Sequence, residues 1–312
     1  MQPAPLFTDV ADGPEGGAAH WLMTRDGLRI RAGHWTGPGA RGTVLLFPGR
    51  TEYIEKYGRA AGEFLSRGYA TLAVDWRGQG LADRMAEDRG LGHVLSFSDY
   101  QADVAALLDH ARALDLPRPF FLLGHSMGGC IGLRAMVEGL PVNAAMFSAP
   151  MWGIAMSTAL RPVAWTLSTL ARRTGLGTRV APGHSTTSYL NEVLMAENLL
   201  TNDEEMFGWM QRQIRQHPDL ALGGPSLHWL NEALHEMRAL AALPSPNVPA
   251  LTFLGTDEGI VDPGRIRDRM ARWPNGELDV IDGGRHEMMM DVPAMRARVF
   301  DRTAALFDTH LS

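Results

Sequence analysis

The chain holds a single cysteine, Cys130, in 312 residues. One cysteine excludes an internal disulfide and any metal site built from several thiolates. No stretch reaches the roughly 18 uninterrupted apolar residues that a membrane span needs. The leading segment, Met1 to Asp12, lacks both the basic and the apolar region of a secretory signal. A soluble, cytoplasmic protein is expected. A surplus of positive charge is also missing: 29 Lys and Arg against 35 Asp and Glu leave a net charge of −6. Without a basic patch or run, no nucleic-acid partner is expected. What is present, 45% apolar and 21% charged residues, is ordinary for a chain that buries a sizeable core. The length suits one large α/β domain, or one domain with an insertion.

Residues 1–20, rich in Pro, Gly and Ala, read as a loose lead-in. Trp21–Thr24 and Leu28–Trp35 flank Asp26-Gly27, a strong hairpin signal. Short apolar runs follow at Thr43–Phe47, Gly68–Asp75, Phe120–Leu123 and Val142–Pro150, with helical patterns between them. Strand, crossover helix and strand in repetition argue for a mostly parallel sheet covered on both faces.

After Pro150 this rhythm stops. Between residues 151 and 243 helical periodicity replaces it: Leu160, Val163, Leu167 and Leu170 form one stripe, and Met206, Met210 and Ile214 another. Thr201-Asn202-Asp203-Glu204 suggests a capping box, Pro218 a stop, and Leu227–Leu240 a third helix. The sheet resumes at Ala250–Leu254 and Leu278–Ile281, and Met295–His310 reads as a closing helix. The expected organisation is therefore a core of residues 1–150 and 244–312 with a helical cap of 151–243.

The chemistry centres on Gly124-His125-Ser126-Met127-Gly128, set between an apolar strand pattern and the helix pattern Cys130–Val137. That context is the nucleophile elbow, a tight turn that lifts a serine hydroxyl above the sheet. Cys130 lies on the elbow helix and reads as packing. A serine needs a base, and the base an orienting acid. Of the 11 histidines, His286 in Asp282-Gly283-Gly284-Arg285-His286 follows the last strand, where a catalytic loop belongs. His184, His217, His228 and His235 show no paired metal spacing. The loop after Phe253-Leu254 offers three carboxylates, Asp257, Glu258 and Asp262, any of which can serve on sequence grounds.

These residues carry a resemblance. Pro48-Gly49-Arg50, Asp75-Trp76-Arg77-Gly78-Gln79-Gly80, the Gly92–Tyr100 segment, the elbow, Phe147-Ser148-Ala149-Pro150 and Gly284-Arg285-His286 occur in the order found in α/β-hydrolases. Within that fold the chain resembles the lysophospholipase and monoacylglycerol-lipase-like serine hydrolases. The group's acid loop has the form Gly-x-x-Asp-x-x-Val. Aligned on Gly255 and Val261, the acid falls on Glu258, with Asp257 as the rival and Asp262 as the weakest candidate. The resemblance also implies an oxyanion hole from the backbone N–H groups of Arg50 and Met127. The chain has Pro48-Gly49 where many relatives have His-Gly.

The implied function is hydrolysis of a small-molecule, lipid-like acyl ester through Ser126, His286 and Glu258. No cofactor or metal is expected. The Met, Leu and Trp residues of the insertion, among them Met151, Trp152, Met206, Trp209 and Met210, suit an acyl channel. They equally suit packing of the cap on the body. Arg161, Arg172, Arg173 and Arg179 offer charge to a head group, and the cap offers peripheral contact with a membrane or micelle. An amide or peptide substrate, or ligand binding without catalysis, are the other readings, because the fold does not fix the substrate.

Overall fold

The structure, a computed structural model, describes residues 1–312. Nine strands form one sheet: β1 (Gln2–Ala4), β2 (Ala18–Met23), β3 (Arg29–Trp35), β4 (Thr43–Phe47), β5 (Ala70–Asp75), β6 (Phe120–His125), β7 (Ala145–Ser148), β8 (Ala250–Gly255) and β9 (Gly276–Ile281). Their spatial order is β1-β2-β3-β5-β4-β6-β7-β8-β9. From β5 to β9 every neighbour is parallel, whereas β1, β2 and β3 run antiparallel at one edge. Every residue of β4, β5, β6, β7 and β8 is buried, as continuous apolar runs in a doubly covered parallel sheet require.

The hairpin forms where Asp26-Gly27 places it, with Met23 opposite Arg29 and Gly27 at φ +82°. The lead-in is more ordered than its composition predicts. Gln2–Ala4 adds an edge strand to β2, a place where Pro3 sacrifices no interior ladder bond.

The helices are α1 (Thr8–Ala11), α2 (Gly58–Ser66), α3 (Tyr100–Ala113), α4 (Met127–Val137), α5 (Leu160–Arg173), α6 (Tyr189–Glu192), α7 (Glu204–Gln216), α8 (Leu227–Ala242), α9 (Pro263–Met270) and α10 (Pro293–Asp308). Between β7 and β8 the chain builds only helices, α5 to α8. Asp203, not Thr201, caps α7, accepting from the N–H groups of Glu205 and Met206. Ser226 caps α8 through the N–H of Trp229.

Two insertion stripes have opposite fates. Met206, Met210 and Ile214 are buried, and Trp209 donates its indole N–H to Val10 O beneath α1. Leu160, Val163, Leu167 and Leu170 instead face outward, with Leu160 58% and Leu170 57% exposed. Periodicity locates an apolar face, but it does not say whether anything covers that face.

Candidate active site

Ser126 joins β6 to α4 with φ +49° and ψ −118°, a conformation that a non-glycine residue holds only under constraint. Its carbonyl accepts from Gly129 N at 2.9 Å and Met151 N at 2.8 Å, and its own N–H reaches Ser148 O at 3.1 Å. A Cβ on Gly128 would lie 1.9 Å from Phe47 O, and one on Gly124 2.9 Å from Gly129 Cα. Backbone therefore presses on backbone on both sides of the serine, and only glycine fits.

The loops after β8 and β9 are fastened together. Thr256 N–H donates to Ile281 O and Asp257 N–H to Gly284 O, each at 3.0 Å. Across that seam, His286 Nδ1 lies 2.8 Å from Glu258 Oε2. Glu258 Oε1 accepts from the N–H groups of Ile260 at 2.6 Å and Val261 at 3.1 Å. Burial alone would raise the Glu258 carboxyl; the His286 contact and the two N–H groups outweigh it and hold the carboxyl below its ordinary range. Its side chain has no exposure, and His286 is buried.

The other two carboxylates are engaged elsewhere. Asp257 is exposed and its oxygen accepts from Thr256 Oγ1. Asp262 caps α9 through Gly264 N and Arg265 N and pairs with Arg161 at 2.9 Å.

Beside Ser126, the Pro48–Glu52 loop has its carbonyls pinned. Trp76 Nε1 donates to Pro48 O at 2.9 Å, and Gln79 Nε2 donates to Gly49 O at 2.7 Å. In a trans peptide the N–H points opposite to the C=O. Fixing Gly49 O on Gln79 therefore turns the Arg50 N–H away from Gln79, and it makes no hydrogen bond within the fold. The Met127 N–H, at the start of α4, likewise has no backbone acceptor.

The Arg50 side chain enters the insertion rather than solvent. Its guanidinium donates to Gly223 O at 2.8 Å and lies 5.6 Å from the Trp229 ring centroid. No carboxylate pairs with it, and burial pulls its pKa down to about 10. Two of the insertion's arginines are committed to ion pairs, Arg161 to Asp262 and Arg172 to Glu232.

Under the site lies a charged cluster that sequence reasoning missed. Lys56 Nζ donates to Glu52 Oε1 at 2.6 Å and to Glu287 Oε1 at 2.5 Å, and the Tyr57 hydroxyl donates to Glu52 Oε2 at 2.5 Å. Glu52 Oε2 also accepts from Gly49 N. His125 Nε2 is 3.4 Å from Glu52 and 3.3 Å from Glu287, while its ring centroid is 4.8 Å from that of His286. Burial would lower the pKa of His125, but the two glutamates more than reverse it; Glu287 is held well below its ordinary range against burial by His125 and Lys56. The ammonium sits on both carboxylates, where a metal ion would otherwise go. The available signals were the adjacency of Glu287 to His286 and the one-turn spacing of Glu52 and Lys56.

The insertion holds the site from two sides. His286 N–H donates to Leu199 O and Glu287 N–H to Leu200 O, and Arg285 reaches Asn198 O and Thr201 O. On the Arg50 side, Gly92 N–H donates to Gly224 O, and Ser226 N–H returns to Gly92 O. Between these attachments Ser126 retains only 8% of its exposure.

Known proteins resemble this chain in sequence and in fold. The chain is 28% identical to a protein of Haemophilus influenzae named probable lysophospholipase L2, over 89% of this chain and 88% of that one. It is 29% identical to lysophospholipase L2 of Escherichia coli K12, over 86% and 81% of the two chains. A soluble variant of monoglyceride lipase from Saccharomyces cerevisiae, solved with a substrate analogue, superposes with a TM-score of 0.72 at 20% identity, covering 93% and 95%. The family model described as serine aminopeptidase, S33, matches residues 38–293. With most of its length under that model, on a mostly parallel sheet carrying a Gly-x-Ser-x-Gly elbow, the chain belongs to the S33 serine aminopeptidase family of α/β-hydrolases.

Proposed function

We propose that this chain is a serine carboxylic ester hydrolase acting on lipid-like acyl esters, of lysophospholipase type, with Ser126, His286 and Glu258 as its catalytic set. One observation carries the reading: a buried His286–Glu258 pair at 2.8 Å, its imidazole 4.8 Å from the ring of His125, the residue that precedes a strained serine flanked by two unpaired N–H groups. No hydrogen bond joins Ser126 Oγ to His286 in the free protein, and such contacts tighten once substrate is bound. Ser126 Oγ attacks the acyl carbon while its proton passes to His286. Glu258 holds the imidazole and stabilises its positive form. The N–H groups of Arg50 and Met127 receive the oxyanion. Collapse expels the alcohol, protonated by His286; water then attacks the acyl-enzyme, gives its proton to His286, and releases the acid and Ser126.

Three features support the substrate class. The relatives are named for lysophospholipids and monoacylglycerols. Residues 151–243, attached on both sides of Ser126, act as a cap that excludes water. The outward stripe Leu160, Val163, Leu167 and Leu170 of that cap suits contact with a membrane or micelle surface, and no helix is long and apolar enough to cross a membrane. Met206 and Trp209, packed under α1, do not serve as an acyl channel.

Arg50 favours a phosphate-bearing head group over a neutral glyceride, since a guanidinium without a carboxylate partner matches a phosphate bidentately. The same cation is of the wrong sign for the α-ammonium of an aminopeptidase substrate. Parallel assays of lysophospholipids, monoacylglycerols, short p-nitrophenyl esters and aminoacyl amides test the reading. Highest kcat/KM on lysophospholipid is expected, and faster cleavage of the amides than of every ester would overturn it.

A further inference from the structure

Three histidines far from Ser126 in sequence meet at the antiparallel edge of the sheet. His20 is on β2, His34 on β3, and His110 in the last turn of α3, which packs on β2. The ladder pairs His20 with Ala32 and His34 with Ala18, so the two strand histidines are diagonal neighbours on one face. α3 brings the third imidazole to that face.

One ligand-capable nitrogen from each lies within 4.8 Å of those of the other two. One ring nitrogen of each, Nδ1 of His20, Nδ1 of His34 and Nε2 of His110, is shut off from water and has no hydrogen-bond partner. Three orphaned nitrogens in one place is unusual, because a buried polar atom normally finds a partner. Burial lowers the pKa of all three, and the neighbouring imidazoles add to the effect on His110, which falls to about 4.

The ring spacing approaches what a shared ion would impose. The His20 and His34 centroids are 5.6 Å apart and those of His20 and His110 5.0 Å. With Zn–N bonds of about 2.0–2.1 Å and tetrahedral angles, two ligating imidazoles have centroids roughly 5 Å apart. The ligand atoms of the cluster are all imidazole nitrogens with no carboxylate among them, and the Met1 α-ammonium is the one neighbouring cation that acts on His20 and His110. This contrasts with Glu52, His125 and Glu287, where Lys56 already fills the centre.

We infer that His20, His34 and His110 form a binding site for a divalent transition-metal ion of the zinc type, with water in the fourth position, tying the β2–β3 hairpin to α3. The sequence concealed it because the ligands sit on three separate elements and not at a short repeat. An all-nitrogen set selects zinc, cobalt, nickel or copper and rejects magnesium and calcium, which require oxygen ligands.

The test uses full-length protein without a histidine tag, dialysed against zinc chloride and assayed for bound metal, with cobalt chloride as a spectroscopic probe. Wild type should hold one zinc and give the intense visible bands of four-coordinate cobalt. At a hundredfold excess of free zinc over its Kd, Tm should rise by about 4 °C. Calcium and magnesium should give neither effect. His34→Gln and His110→Ala should each abolish the stoichiometric zinc and the cobalt bands, while His286→Ala should keep both. If His110→Ala does not fold, His34→Gln, at a half-buried strand position, reads the same loss. Absence of stoichiometric metal from folded wild type, or zinc retained by folded His34→Gln, overturns the site.

Discussion

Glu258 Oε2 lies 2.8 Å from His286 Nδ1, and the other oxygen of the same carboxylate is held by the N–H groups of Ile260 and Val261. The Glu258 carboxylate is therefore held through both of its oxygens. Replacing Glu258 by Gln should favour the wrong imidazole tautomer and lower kcat by about 1,000- to 10,000-fold. Asp257→Asn should leave kcat nearly unchanged. Asp262→Ala should spare chemistry but remove a helix cap, costing about 1 kcal/mol in a thermal melt. Steady-state kinetics on one ester would rank the three; a larger loss at Asp257 than at Glu258 would move the assignment.

Gln79 should act through the peptide it pins. Gln79→Leu frees Gly49 O and with it the orientation of the Arg50 N–H. kcat should fall by about 10-fold with KM little changed, less than the 100- to 1,000-fold that follows loss of an oxyanion donor. A fall confined to KM would mean that Gln79 does not act through the oxyanion loop.

Lys56 stands between two buried carboxylates, so Lys56→Met leaves Glu52 and Glu287 unneutralised. Breaking such a cluster costs about 3–5 kcal/mol, roughly 5–8 °C in Tm for a chain of this size. The cluster also gives stability a pH signature. Glu287 faces Lys56, His125, Glu52 and His286, and its folded pKa is depressed. Its contribution is present above the ordinary Glu value of about 4.3 and is lost as pH falls through the folded value. The pKa of His125 is raised, so its contribution is full below about 6.5 and is lost as pH rises through the folded value. Denaturation in Glu287→Gln should show a shallower acid-side loss; an unchanged slope would remove Glu287 from the account.

Arg50→Gln should separate the two lipid classes. Loss of a charged hydrogen bond to phosphate, about 1.5–3 kcal/mol, lowers kcat/KM for lysophospholipid by roughly 10- to 100-fold. Monoacylglycerol, which has no phosphate, should be hydrolysed as before. Equal losses on both substrates would assign Arg50 a role in the loop backbone alone.

Much of this was legible because some signals are local. Continuous apolar runs named the inner strands, Asp26-Gly27 named the hairpin, and the resemblance to the family's acid loop, aligned on Gly255 and Val261, pointed to Glu258, the carboxylate that contacts His286. Other features depend on what the fold brings together. Period 3.6 found the apolar faces of α5 and α7, yet one is bare and the other is packed under α1. Arg161 and Arg172 read as free cations until Asp262 and Glu232 arrived beside them. Glu52, Lys56, His125 and Glu287 come from three separate stretches, as do His20, His34 and His110. No periodicity joins such residues, so only tertiary structure reveals them.

The account rests most directly on Ser126 as the nucleophile. Treatment with a fluorophosphonate, followed by peptide mass spectrometry and a lysophospholipid hydrolysis assay, measures this in one experiment. Wild type should lose activity as a single adduct accumulates on the peptide bearing Ser126, and Ser126→Ala should neither label nor turn over while melting as wild type does. A natively folded Ser126→Ala protein that kept about a tenth of wild-type ester hydrolysis, or an adduct on another residue that tracked inactivation, would contradict it.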